Sequence, residues 1–191
     1  MIPAVMGVLV LLWAWRSHTP WREIGIVRPR SWIRTAAIAI VLGAVFKLVM
    51  KSVVMPMLGA DPINQRYHYL AGNSNALLPM IFAIVIGAGF GEETFFRGYL
   101  FERLGKLIGS SAIAKTFAVL ITSIWFALVH YPDQGLAGVQ QAMVTGLTFG
   151  TVFALTGTLL PLMIAHASFD LTALAIIYWD LETAVAHLIF K

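Results

Sequence analysis

The chain contains no cysteine, which excludes disulfides, thiolate metal ligands and a cysteine nucleophile together. Charge is scarce too. Only 12% of the 191 residues are Asp, Glu, Lys or Arg, whereas 59% are hydrophobic; soluble domains carry about 25% charged residues. A net charge of +4 is too small to indicate a nucleic-acid partner, and its clustering beside apolar runs reads as membrane topology. No repeat or low-complexity tract is evident, and the length leaves no room for a second domain. What the chain has in quantity is long apolar runs. They predict an all-α, polytopic membrane helix bundle, a single domain over residues 1–191 with about six spans.

Ile2 to Trp15 is apolar but short, roughly 21 Å of helix against about 30 Å of hydrocarbon, and is expected to be a tilted or partial first span. No basic residue precedes it and no small-residue cleavage site follows, so a cleaved signal peptide is not expected. The further spans are Trp32 to Met55, Leu77 to about Leu104, Ala112 to His130, Leu136 to Leu155 and Leu159 to Trp179. Pro56 to Ser74, Tyr131 to Gly135 and Thr156 to Thr158 hold the Pro, Gly and Asn breakers between them. Arg16 to Arg34 and Arg97 to Lys115 are basic, whereas Pro56 to Ser74 and Tyr131 to Gly135 hold only Arg66 against Asp61 and Asp133. The positive-inside rule places the basic connections in the cytoplasm. Lys47 and Lys51 are expected to snorkel to the opposite interface.

Against this background Glu92 and Glu93 stand out, adjacent in an apolar stretch with Arg97 four residues beyond the second. A carboxylate in hydrocarbon costs several kcal/mol or more unless paired, neutralised or hydrated, so an intramembrane acid reads first as a functional site. Partners lie in other spans: His130, His166 and Asp170. Counting a 1.5 Å rise per residue from the cytoplasmic interface brings Glu92, His130, His166 and Asp170 to similar depths on three antiparallel helices. His166 and Asp170, four apart, share a helix face. Glu92 and Glu93 differ by roughly 100° around an α-helix, so Glu92 is expected to face the cavity and Glu93 its i+4 neighbour Arg97. Phe126, one turn before His130, is expected beside the cluster. Phe95, Phe96, Phe149 and Phe153 read as packing, and the glycines of the fifth span as allowing close helix approach.

Glu92-Glu93-Thr94-Phe95-Phe96-Arg97 fits EExxxR, Phe126 to His130 fits FxxxH, and His166 to Asp170 fits HxxxD/N. Three such motifs in order, each on an apolar helix, resemble the CAAX protease and bacteriocin-processing (Abi) family, which includes the prenyl-protein endopeptidase of CAAX proteins. The resemblance covers roughly Leu77 to Ala175. It implies a glutamate-dependent intramembrane endopeptidase in which Glu92 corresponds to the catalytic glutamate and His130 to the histidine holding the water. His166 and Asp170 fall where the family places its oxyanion-stabilising residues. Asp is less suited than Asn to donate a hydrogen bond, so Asp170 is either protonated or orients His166.

Peptide hydrolysis needs a water deprotonated as it attacks, a proton for the leaving amine and donors at the oxyanion. Carboxylate and imidazoles supply all three without a cofactor. The same residue types offer an alternative, a zinc site of two histidines and one carboxylate with an open water position, although HExxH is absent. Two further classes remain: a proton-coupled transporter, for which no inverted repeat is seen, and a non-catalytic immunity or scaffold protein. The expected partners are a peptide or lipidated protein substrate and the bilayer, with localisation in a prokaryotic plasma membrane. On this topology the break after His130 opens the site away from the cytoplasm, whereas a cytosolic CAAX substrate requires the opposite opening.

Overall fold

The computed structural model describes residues 2–190. Among these residues the regular structure is entirely helical. In chain order the helices are α1 (Ile2–Arg16), α2 (Trp32–Met57), α3 (Ser74–Ile108), α4 (Ala112–Val129), α5 (Tyr131–Thr156), α6 (Leu160–Tyr178) and the short α7 (Glu182–Ala186).

Local chemistry sets their ends. The side chains of Ser31, Asn73 and Ser111 accept from the backbone N–H of Arg34, Ala76 and Ala114, each satisfying a donor that the first turn of α2, α3 or α4 leaves unpaired. Pro132 and Pro161 occupy the first turns of α5 and α6, where no N–H is needed. Gly157 closes α5 in the left-handed region at φ 62°. The break expected over Tyr131 to Gly135 is a turn of helix followed by a kink at Gly135, where φ is 63° and ψ is −159°.

Four helices, α2, α3, α4 and α6, are long and apolar enough to cross a membrane. The remaining two of the six expected spans differ. The 15 residues of α1 are too few for a full crossing. The expected fifth span is a helix of 26 residues, but Gln134, Gln140, Gln141, Thr145 and Thr148 dilute its apolar character. Gln134, Gln141 and Thr145 line an internal cavity, which is what a helix turned toward water rather than lipid requires.

Small residues bring the helices together. A Cβ on Gly146 of α5 would lie 3.1 Å from Ser123 Cα on α4, and one on Gly43 of α2 would lie 2.2 Å from the Ala165 carbonyl of α6. Such approaches let packing and dispersion replace the hydrophobic drive that lipid does not supply. Outward, Ile33, Val41 and Leu42 of α2 and Ile113, Phe117 and Leu128 of α4 are exposed, an apolar perimeter suited to acyl chains. The protein is an integral membrane protein.

Helix α3 departs from ideal winding where it matters most. Ala83–Glu92 and Thr94–Tyr99 are wound wide, as π-helix, so each residue turns through less than the α-helical angle. Gly89 and Gly91 let neighbours close on this stretch, with Met163 and Ala167 of α6 on one and the Pro3 backbone on the other.

Lys47 and Lys51 correct another expectation, since neither snorkels to an interface. Lys47 is 7% exposed and donates to Gln141 Oε1 at 2.7 Å, with its ammonium 4.8 Å from the centre of the Phe169 ring. Lys51 turns inward to Glu182 Oε1 at 3.2 Å and to the Pro62 carbonyl. Both stems run along protein instead of lipid, because a polar cavity lies between α2, α5 and α6.

Candidate active site

The centre of the site is His166 on α6. Its Nδ1 lies 2.7 Å from Glu93 Oε1, and the same oxygen accepts from Arg97 Nη1 at 2.9 Å. Glu93 and Arg97 are completely enclosed, at 0% and 1% exposure. Arg97 also stacks 4.5 Å from the centre of the Phe126 ring and reaches the Gly146 carbonyl at 3.5 Å. Two cationic or N–H donors on Oε1 offset a buried charge that would otherwise be prohibitive in hydrocarbon, while Glu93 Oε2 has no hydrogen-bond partner among the described residues. The chain Arg97, Glu93, His166 therefore fixes the imidazole plane, and with Nδ1–H donated to Glu93 the ring's Nε2 is aimed at the cavity.

Two carboxylates flank that nitrogen. Asp170 Oδ2 is 3.6 Å and Glu92 Oε2 3.9 Å from His166 Nε2. The two adjacent glutamates thus approach opposite edges of one imidazole. Ideal α-helical winding would point them farther apart, and the wide turn of α3 reduces the angle between them. Glu92 Oε2 is buried and has no hydrogen-bond partner among the described residues, a position suited to a reacting water. Asp170 sits on the cavity side of His166, so orientation of the ring through Nδ1 belongs to Glu93.

His130 ends α4 as its C-cap. Its Nδ1 is 2.6 Å from the Phe126 carbonyl, which only accepts, so Nδ1 carries the proton and Nε2 of the neutral ring is an acceptor. His130 lines the same cavity as Glu92, His166 and Asp170 but forms no ion pair with Glu92. Phe126 packs between them, 4.6 Å from the His130 ring and 6.0 Å from that of His166, and Phe149 closes the other side at 5.4 Å from His166.

This cavity, about 220 Å³, adjoins a larger one of about 390 Å³, the two sharing Tyr67, Met80, Ile84, Gln134, Gln141 and Asp170. The larger extends to exposed Gln65 and Arg66, which places its mouth at the Lys- and Arg-poor end of the molecule. Burial, with Asp133 and Asp170 adding to it, pushes the Tyr67 phenol above its usual value, so it remains a neutral O–H donor between the two chambers. A zinc ion would require His130, His166 and a carboxylate to close to about 2.0–2.2 Å from one point. Among the described residues no three His, Asp or Glu side chains are grouped that way.

The sequence model of the type II CAAX prenyl endopeptidase Rce1-like family matches residues 74–172. The chain belongs to this family. It is accordingly a membrane-embedded peptide hydrolase. The match runs from the start of α3 into α6 and takes in Glu92, Glu93, Arg97, Phe126, His130, His166 and Asp170. No curated protein and no solved structure matches the chain.

Outside the stretch matched to the type II endopeptidases lies a polar residue that reading the sequence passed over. Glu182 is 1% exposed and accepts from Lys51, from the Asn64 backbone N–H at 2.8 Å and from His68 Nδ1 at 3.2 Å. Glu182 follows Asp180 by two residues just past α6, where an acid in sequence reads as an ordinary end-of-helix surface residue. Gln141 and Tyr67, ordinary polar residues in sequence, gain their place only from tertiary structure.

Proposed function

We propose that Glu92 activates water for attack on a peptide bond near the C-terminus of a membrane-associated protein, without a metal ion. The observation that carries this reading is the buried, unpartnered Glu92 Oε2 at the cavity, 3.9 Å from His166 Nε2. Glu92 takes a proton from the water as its oxygen bonds to the scissile carbonyl carbon. It returns that proton to the nitrogen as the C–N bond breaks. His130 holds the water, accepting a hydrogen bond through the Nε2 lone pair that its bond to the Phe126 carbonyl leaves free.

The oxyanion faces His166. With Nδ1–H committed to Glu93, Nε2 donates only from the charged ring, and the fixed ring plane makes that donor preorganised. Glu93 and Arg97 act through His166 and are positioning residues. Asp170, at 3.6 Å from Nε2, keeps the charged ring neutralised until the oxyanion forms. The type II endopeptidase family points to a prenylated C-terminal segment as substrate, and the larger chamber provides room for the residues beyond the scissile bond.

The test is cleavage of an S-farnesyl peptide ending Cys-Val-Leu-Met by purified protein in lipid nanodiscs after exhaustive chelation. Activity is expected to survive chelation unchanged. A dead, chelated enzyme revived by stoichiometric zinc would replace this reading with the metalloprotease one.

A further inference from the structure

Lys47 and Lys51 lie one turn apart on α2, and both line the 390 Å³ chamber, yet their surroundings differ. Lys51 has the Glu182 carboxylate at 3.2 Å. Lys47 has no carboxylate within ion-pair distance among the described residues; its one hydrogen bond, 2.7 Å, goes to the neutral Gln141 amide oxygen. The ring of Phe169 adds a weak cation–π contact at 4.8 Å. An ammonium more than nine-tenths buried, with three donors and one neutral acceptor, has no counter-charge in direct contact; the Asp170 and Glu182 carboxylates act on it only from beyond ion-pair distance.

Gln141 makes the arrangement directional. Its Oε1 accepts from Lys47, which leaves the amide N–H groups for a second acceptor. Gln141 lines both chambers, so ammonium and amide stand at the junction between the Glu92 site and the larger space. Beyond them the wall is apolar, formed by Leu70, Ile84, Leu174 and Ile177. Of the chamber's other charged groups, Glu182 is committed to Lys51 and His68 and Asp61 to the Ile63 N–H at 2.8 Å, while Arg66 stands exposed at the mouth. Asp170 faces His166.

We propose that Lys47 and Gln141 receive the free C-terminal carboxylate of the peptide being cut, with the apolar wall taking its last side chains. The inference rests on the endopeptidase reading and deepens it: a receptor at the junction with the Glu92 cavity makes the enzyme measure its cut from the chain terminus and favours release of a short C-terminal peptide. An internal loop, which brings no carboxylate, leaves Lys47 unpaired and binds poorly.

The experiment compares the S-farnesyl peptide ending Cys-Val-Leu-Met as free acid and as C-terminal amide. Affinities are measured by fluorescence anisotropy on Glu92→Gln protein, which separates binding from turnover. The acid is expected to bind about tenfold or more tightly than the amide, the scale of one charge-assisted hydrogen-bonded contact. Adding Lys47→Met, whose apolar chain fills the same space over Phe169, should bring the two affinities together, while Lys47→Arg keeps the preference. Equal binding of acid and amide to the Lys47-containing protein overturns the proposal, as does an acid preference that survives in Lys47→Met. Failure of the endopeptidase reading shows separately, as absence of cleavage of either peptide by the wild type.

Discussion

The two ends of the molecule use the same charged residue types to opposite purpose. At the basic end, Arg16 to Arg34 and Arg103 to Lys115 carry their charge outward. Glu102 is held there by Arg103 and Lys106, and Lys106 reaches Glu23 at 3.3 Å on a solvated surface. At the cavity end, Lys47, Lys51, Asp170 and Glu182 point inward around a polar chamber, and three of the four have carboxylate or histidine partners within 4 Å. By the positive-inside rule the first group is expected to set how the chain sits in the bilayer. The second lines a chamber inside the helix bundle. What separates them is depth and direction, not residue type.

The sharpest break of that comparison is a labelling experiment, which the absence of cysteine makes clean. Gln65→Cys, at the cavity mouth, is expected to react with a membrane-impermeant maleimide added outside intact cells, and Arg28→Cys to react only after lysis. The reverse pattern would put the cavity in the cytoplasm. It would then face a cytosolic substrate directly.

The next largest effect is expected at the buried ion pair. Glu93→Gln leaves Arg97 without its counter-charge and, although its amide oxygen still accepts, loosens the hold on the His166 ring, so stability should fall by about 3–5 kcal/mol. Among the molecules that remain folded, turnover should fall by about 10²-fold or more, with a displaced pH profile. Unfolding monitored by tryptophan fluorescence and cleavage assayed on the folded fraction check the two parts. Full turnover in folded Glu93→Gln protein would remove its positioning role.

A smaller effect is expected at Glu182. Glu182→Gln keeps acceptors for Lys51 and Asn64 but removes the charge, and should cost about 1–3 kcal/mol while leaving cleavage within a few-fold of wild type. A loss as large as at Glu93 would show that the two buried acids do comparable work, and the chamber would need to be redrawn around Glu182.

Much of this was legible before any coordinates. The helical membrane class followed from scarce charge and long apolar runs. The meeting of α3, α4 and α6 followed from the similar depths of Glu92, His130, His166 and Asp170. The pairing of Glu93 with Arg97 followed from i, i+4 spacing. The approach of both glutamates to one imidazole did not, because the wide winding of α3 depends on packing against α1 and α6, which no local pattern in Ala83 to Tyr99 announces. The inward turn of Lys47 and Lys51 was equally hidden. An interfacial lysine and a cavity lysine look alike until the residues opposite, here Gln141 and Glu182, are placed. The lower apolarity of α5 was visible in its glutamines and threonines.

The central claim is that Glu92 itself does the proton transfer, and the direct measurement is the turnover of purified Glu92→Gln protein on the S-farnesyl peptide ending Cys-Val-Leu-Met. Gln preserves shape and burial but does not take a proton from water. The account predicts cleavage reduced by about 10²–10⁴-fold with the thermal midpoint preserved. Wild-type turnover in folded Glu92→Gln protein would contradict it.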